Sequence, residues 1–204
     1  MKGILFKEAL FNAIVEGRKT QTRRIMEPQP DERGFRTTNS LFEDWHGSEA
    51  KPRYNAGEIV YMKEPYIDDL DMAKVFYKFN NKDKAIIDRE MKDIKNPWKN
   101  KLFMPSDMAR CFIKIKKVWP ERIAEISEEN AIAEGATSKE DFEKLWDSIN
   151  LKAKWDKNGN LTAYPFQGKT IARTEGNGRR VQVICNPWVW AYEFEFLEGY
   201  SLIV

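Results

Sequence analysis

Gly17-Arg18-Lys19-Thr20-Gln21-Thr22-Arg23-Arg24 decides how this chain is read. Four cations and two threonine hydroxyls fall within eight residues. Just before them, Phe6, Leu10, Ala13 and Ile14 recur at helical spacing. That predicts a helix over about 6–16, with Gly17 as its C-terminal cap. Beyond the cap, Thr20, Thr22 and Arg24 alternate with Lys19, Gln21 and Arg23, the pattern of a strand. Pro28 and Pro30 end it. A basic run so placed answers to an anionic or nucleotide-like partner, a catalytic task, or a plain solvated surface.

The bulk numbers narrow the choice. A chain of 204 residues holds one domain, or at most two small ones. With 42% apolar and 13% aromatic residues it is too hydrophobic for a disordered chain. Net charge is only +2, so any nucleic-acid contact must come from local patches. Two cysteines, Cys111 and Cys185, sit in apolar runs, and His46 is the only histidine. A Cys/His zinc site is therefore not expected, nor is any other metal or cofactor. Two buried thiols are the simpler expectation. Lys7 and Glu8 cut short the first apolar run, and nothing approaches the ~18 apolar residues of a membrane span. A cytoplasmic protein with no membrane partner is expected.

Outward from the basic run, residues 31–56 read as a long loop or loose hairpin. Ile59 to Glu64 reads as a strand that Pro65 ends, followed by an acidic loop over 68–71 and a strand over 75–79. Residues 82–95 form a weak charged helix pattern. Cys111 to Val118 alternates, with Ile113 and Ile115 on one side and Lys114 and Lys116 on the other. Ser127 caps a short helix ending at Gly135, and Ser138 caps a stronger one through Ile149. Asn158-Gly159 signals a hairpin. Strands follow over 181–184 and 188–196, then a tail over 198–204. Helix, strands, helices and strand in that order predict an α+β fold.

Four segments then resemble the ASCH domain family of the PUA-like superfamily. They are Gly17-Arg18-Lys19-Thr20-x-Thr22-x-Arg24, Gly57-Glu58-Ile59-Val60, Ser127-Glu128-Glu129-Asn130-Ala131-x-Ala133-Glu134-Gly135, and Trp190-Ala191-Tyr192-Glu193-Phe194. The resemblance implies a small β-barrel with helices packed at its mouth, a single domain over 1–197. Long inserted loops fall near 27–56, 65–104 and 151–186. Inserts of this kind, Trp98 and the Asn186-Pro187-Trp188 ending are similar to longer phage and prophage members of the family.

The same resemblance implies site residues. The motif is partly similar to that of bacterial acetylcytidine amidohydrolases, and carried over it gives Lys19, Thr22 and Glu134 as a catalytic set, with Arg24 as a further polar site residue. A threonine hydroxyl needs a base to become a nucleophile, and crowding by cations favours the neutral amine of a lysine. On a regular strand Lys19 and Thr22 face opposite sides, so a bulge or turn would be needed. Arg23 stands where that branch carries an apolar residue, and an inward arginine there fills the pocket or binds phosphate. Glu64, at the end of its strand, is a candidate lining residue, with an edge-strand carboxylate as the plainer reading.

Two functions compete. One is a pocket lined by Lys19, Thr22, Arg23, Arg24, Glu64 and Glu134 that binds RNA, a nucleotide or a nucleoside. The other is an amidohydrolase acting on acylated cytidine-type nucleosides. A phage protein engaging a host factor through the inserts is a third. Lesser candidates are the basic loop Gly176-Asn177-Gly178-Arg179-Arg180, the face formed by Lys114, Lys116 and Lys117, and Trp45, Trp98, Trp155 and Trp188. Such tryptophans stack on bases or pin loops to a core.

Overall fold

The structure is a computed structural model that describes residues 1–30, 35–38, 41–44, 49–69, 74–156, 159–168, 173–174 and 178–200. In chain order the first elements are β1 (Gly3–Leu5), α1 (Glu8–Val15), β2 (Gln21–Ile25), β3 (Phe35–Thr38), β4 (Leu41–Asp44) and β5 (Glu49–Ala50). Next come β6 (Ile59–Lys63), β7 (Tyr66–Asp69), β8 (Lys74–Tyr77), α2 (Asn81–Glu90) and β9 (Phe112–Arg122). The rest are α3 (Glu128–Ala133), α4 (Lys139–Asn150), β10 (Lys154–Trp155), β11 (Leu161–Ala163), β12 (Arg173–Thr174), β13 (Arg180–Val183) and β14 (Trp188–Phe196). The fold is α+β. No helix among the described residues is long and apolar enough to cross a membrane.

Two compact units emerge, each discontinuous in sequence: 1–20, 56–116 and 194–204 in the first, 21–55 and 117–193 in the second. Strands β9 and β14 are hydrogen-bonded neighbours.

In the first unit β1 pairs parallel with β6, and β6 pairs antiparallel with the start of β9, Val60 opposite Ile113. Helix α1 stops where its sequence says it must. Gly17 adopts φ +74°, and the amides of Arg18 and Lys19 both bond back to the Ala13 carbonyl at 2.8 and 3.0 Å. That left-handed turn suits glycine and closes the helix. Lys19 therefore lies in the turn, and the strand opens only at Gln21. The expected acidic loop is a correction. Tyr66–Asp69 is a strand paired with Lys74–Tyr77, because Tyr66 and Ile67 bury their side chains; Leu70 and Asp71 lie outside the described residues. Ile67, Phe76, Ile87 and Trp98 form a small core, so Trp98 pins its loop. The tail is not loose at its start: Leu197 donates to the Phe112 carbonyl at 2.9 Å, and the Tyr200 ring packs 4.9 Å from Phe112. Residues 201–204 lie outside the description.

In the second unit β2 pairs antiparallel with β14, with Thr22 opposite Tyr192 and Arg24 opposite Trp190. Both predicted caps form: Ser127 accepts from the Asn130 amide, and Ser138 from the Asp141 amide, each at 3.2 Å. Such caps contribute ~1 kcal/mol each. Phe142 and Trp146 on the apolar stripe of α4 join Ile123, Ile126, Phe166 and Val189 in the core of this unit. The hairpin expected at Gly159 joins β10 to β11, Trp155 opposite Leu161, with Gly159 at φ +77°; Asn158 lies outside the described residues. Strands β3, β4 and β5 pair antiparallel in a three-stranded sheet, one strand more than a hairpin.

Candidate functional site

Alternation along β2 sorts the basic run. Gln21 and Arg23 share one face, Thr22 and Arg24 the other. Helix α3 answers the first face at i, i+4 spacing. Gln21 Nε2 donates to Asn130 Oδ1 at 3.0 Å, and Arg23 Nη1 to Glu134 Oε1 at 3.2 Å. Arg23 Nε donates to Glu121 Oε1 at 2.5 Å, and Trp119 Nε1 donates to the other oxygen of that carboxylate at 2.7 Å. Arg23 is thus the inward arginine, buried and shared between two carboxylates. Glu134 caps the C-terminal end of α3, where the helix dipole disfavours a carboxylate by ~0.3–1 kcal/mol. Its ion pair with Arg23 offsets that cost.

The opposite face is aromatic. The Tyr54 and Tyr192 rings meet edge to face at 5.5 Å. The backbone amide of Arg53 donates to the Tyr192 hydroxyl at 3.1 Å, and the Arg53 guanidinium lies 5.6 Å from the Tyr54 ring. Burial pushes Tyr192 up to about 12. Arg24 is half-buried as a residue, yet desolvation of its guanidinium pulls its pKa down, against the pull of Tyr54, Glu134 and Tyr192. Arg53, exposed and of like charge, lowers it further.

Two atoms on the α3 side stand out. Among the described residues, Arg23 Nη2 and Gln21 Oε1 are buried with no hydrogen-bond partner. Gln21 has already used its amide nitrogen on Asn130, and Arg23 its Nε and Nη1 on carboxylates.

The first unit holds the other two sequence candidates. The Lys19 side chain is buried, with Nζ 5.9 Å from the centre of the Phe6 ring. Glu64 is fully buried. Arg110 grips it with Nε to Oε1 at 2.8 Å and Nη2 to Oε2 at 3.1 Å, and the Phe79 amide adds a bond at 3.2 Å. Burial raises the Glu64 carboxyl above its ordinary range, and Arg110 works against that rise. Burial likewise pushes Tyr77 up to about 12 and Cys111 to about 11. Cys185 is in no disulfide and is only half-buried, so the expectation of two buried thiols holds for Cys111 alone.

The second unit thus assembles Thr22, Arg23, Arg24 and Glu134, whereas Lys19 and Glu64 belong to the first. Sequence reasoning missed Glu121, Arg53, Tyr54 and Arg110. Tyr192 was within reach, since it lies in the aromatic alternation of the closing strand. Lys114 and Lys116 are exposed, and Lys116 pairs with Glu195 at 3.5 Å. Trp45, His46, Gly176 and Asn177 lie outside the described residues. No group of three or more His, Cys, Asp or Glu side chains among the described residues is placed to hold a metal. No family model, curated protein or solved structure matches this chain.

Proposed function

We propose that the second unit binds a nucleotide or a splayed RNA base, and that the chain is an ASCH-type module. One observation carries the binding reading: a buried acceptor, Gln21 Oε1, and a buried donor, Arg23 Nη2, lie on one face of β2 without protein partners among the described residues. Each such atom costs ~1–3 kcal/mol if left unmade, and few persist in folded proteins. A nucleobase edge presents a donor beside an acceptor, the two partners that these atoms lack. Arg24, on the other face of β2 but within electrostatic range of Glu134, and Arg53 add positive charge in the same unit. The PUA-like barrel belongs to the same proposal. Its support is the α+β architecture and the four matching segments, which fall on the α1 cap with β2, on β6, on α3 and on β14.

Titration with RNA at low salt tests this. Saturable binding is expected, and the salt slope should fall by ~0.7 for each phosphate that Arg24→Ala or Arg53→Ala leaves without its cation. Absence of binding, or equal binding by the Arg24→Ala, Arg53→Ala double variant, rejects it.

An amidohydrolase acting on acylated cytidine-type nucleosides is the second reading. Its support is the burial of Thr22 and Glu134 in the second unit, at 4% exposure each. Arg23 favours the first reading, because it holds Glu134 from the face opposite Thr22. Release of cytidine and acetate from acetylcytidine, abolished in Thr22→Ala, would reverse that preference.

A further inference from the structure

Strands β10, β11, β13 and β12 form a small sheet in that order within the second unit. On β13, Arg180 and Gln182 are exposed on either side of the fully buried Val181, so they share the outward face. Trp155, on edge strand β10, is 62% exposed. A tryptophan that only pinned its loop would bury its ring, as Trp98 does at 9%. The Arg179 guanidinium lies 5.8 Å from the Trp155 ring centre, a cation–π distance that steadies the indole. Trp155, Asn160, Arg179, Arg180 and Gln182 line a cleft of about 590 Å³. A second cleft of about 360 Å³ shares Asn160 and Gln182 and extends to Tyr164 and Gln29.

We propose that this face is a platform for single-stranded nucleic acid. Trp155 stacks on a base, Arg179 and Arg180 meet phosphates, and the Gln182 amide reads a base edge together with Asn160 Oδ1, since Asn160 Nδ2 already donates to Asp156 at 3.4 Å. Each group suits its task. An indole face accepts any base, and a guanidinium binds phosphate in a fork. An amide offers donor and acceptor together. Arg179 and Arg180 make the first cleft cationic, which suits a nucleic-acid backbone, whereas Glu27 and Asp156 line the second and keep phosphate out of it. The platform uses none of the residues around Arg23 and Arg24, so either site can fail alone.

The test is fluorescence anisotropy of the full chain with a labelled single strand of about a dozen nucleotides at low salt. Trp155→Ala should raise Kd about 5- to 150-fold, and Trp155→Phe, which keeps a stacking ring, should recover most of it. The Arg179→Ala, Arg180→Ala double variant should lower the salt slope by about 1.4. Duplex of the same sequence should bind more weakly, because its bases are already stacked. Matched RNA and DNA strands distinguish a contact to the 2′-hydroxyl from one to bases and phosphates alone. In an Arg24→Ala background the Trp155→Ala ratio should persist, which separates this site from the proposed nucleotide pocket. No saturable binding, a Trp155→Ala variant equal to wild type, no rescue by phenylalanine, or duplex bound as well as single strand would each overturn the proposal.

Discussion

Each unit sets an arginine against glutamate, Arg110 with its side chain 30% exposed and Arg23 fully buried, and the two arrangements differ in how they close. In the first unit one guanidinium grips one carboxylate through two bonds, and the Phe79 amide adds a third. Both Glu64 oxygens are satisfied. In the second unit one guanidinium is divided between Glu121 and Glu134, and its Nη2 has no partner among the described residues. A second arginine, Arg24, is desolvated nearby with Arg53 in range. The first arrangement is complete without a ligand and reads as scaffold. The second leaves Arg23 Nη2 and Gln21 Oε1 buried without a partner among the described residues, and buried polar atoms of that kind mark a candidate binding site.

Breaking the closed pair should have the largest effect. Arg110→Met leaves a fully buried carboxylate unpaired, and urea unfolding should show a loss of about 3 kcal/mol. Its companion is milder. Glu121→Gln leaves Arg23 a second carboxylate, so about 1–2 kcal/mol is expected. Equal losses in the two variants would erase the distinction between closed and shared pairs.

The tyrosine beside Arg24 sharpens the comparison by pH. An unfolded tyrosine ionises near 10, whereas Tyr192 keeps its proton to about 12. Between those values unfolding releases a proton, so stability falls as pH rises from about 10 to about 12. Tyr192→Phe should make that decline shallower by up to ~1.4 kcal/mol per pH unit. An unchanged slope would mean that Tyr192 is not held neutral by the fold. The smallest effect is chemical. Beside the closed pair, burial holds the Cys111 thiol at about 11 despite the adjacent Arg110. A thiol reagent near pH 8 should therefore label Cys185 first. Mapping by mass spectrometry that found Cys111 labelled first would show that the first unit opens.

How much of this was legible follows from range. The helix stop at Gly17, both serine caps, the alternation of Ile113 and Ile115 and the closing strand are set by neighbours in sequence, and local pattern found them. Strand β7 was missed because acidic residues at 68 and 69 read as loop, while the pairing that makes it a strand lies with 74–77. Within the site, the sequence singled out Arg23 as an inward arginine. It held no sign of Glu121, 98 residues away, or of Arg110, 46 residues from Glu64. An ion pair across such separations leaves no local periodicity to read. The same limit explains why Lys19, adjacent in motif to Thr22, falls in a different compact unit.

The central claim is that Gln21 Oε1 and Arg23 Nη2 await a polar ligand. Isothermal titration calorimetry with nucleoside monophosphates and short single-stranded RNA tests it most directly, comparing wild type with Gln21→Leu. Leucine keeps the bulk and removes the acceptor together with the Nε2 bond to Asn130, so Asn130→Ala, which breaks that bond alone, is the control. Saturable binding by wild type is expected, weakened about tenfold in Gln21→Leu for the loss of one hydrogen bond of ~1.5 kcal/mol. No heat with any of these ligands, or equal affinity in a Gln21→Leu variant with unchanged circular dichroism, would contradict the account.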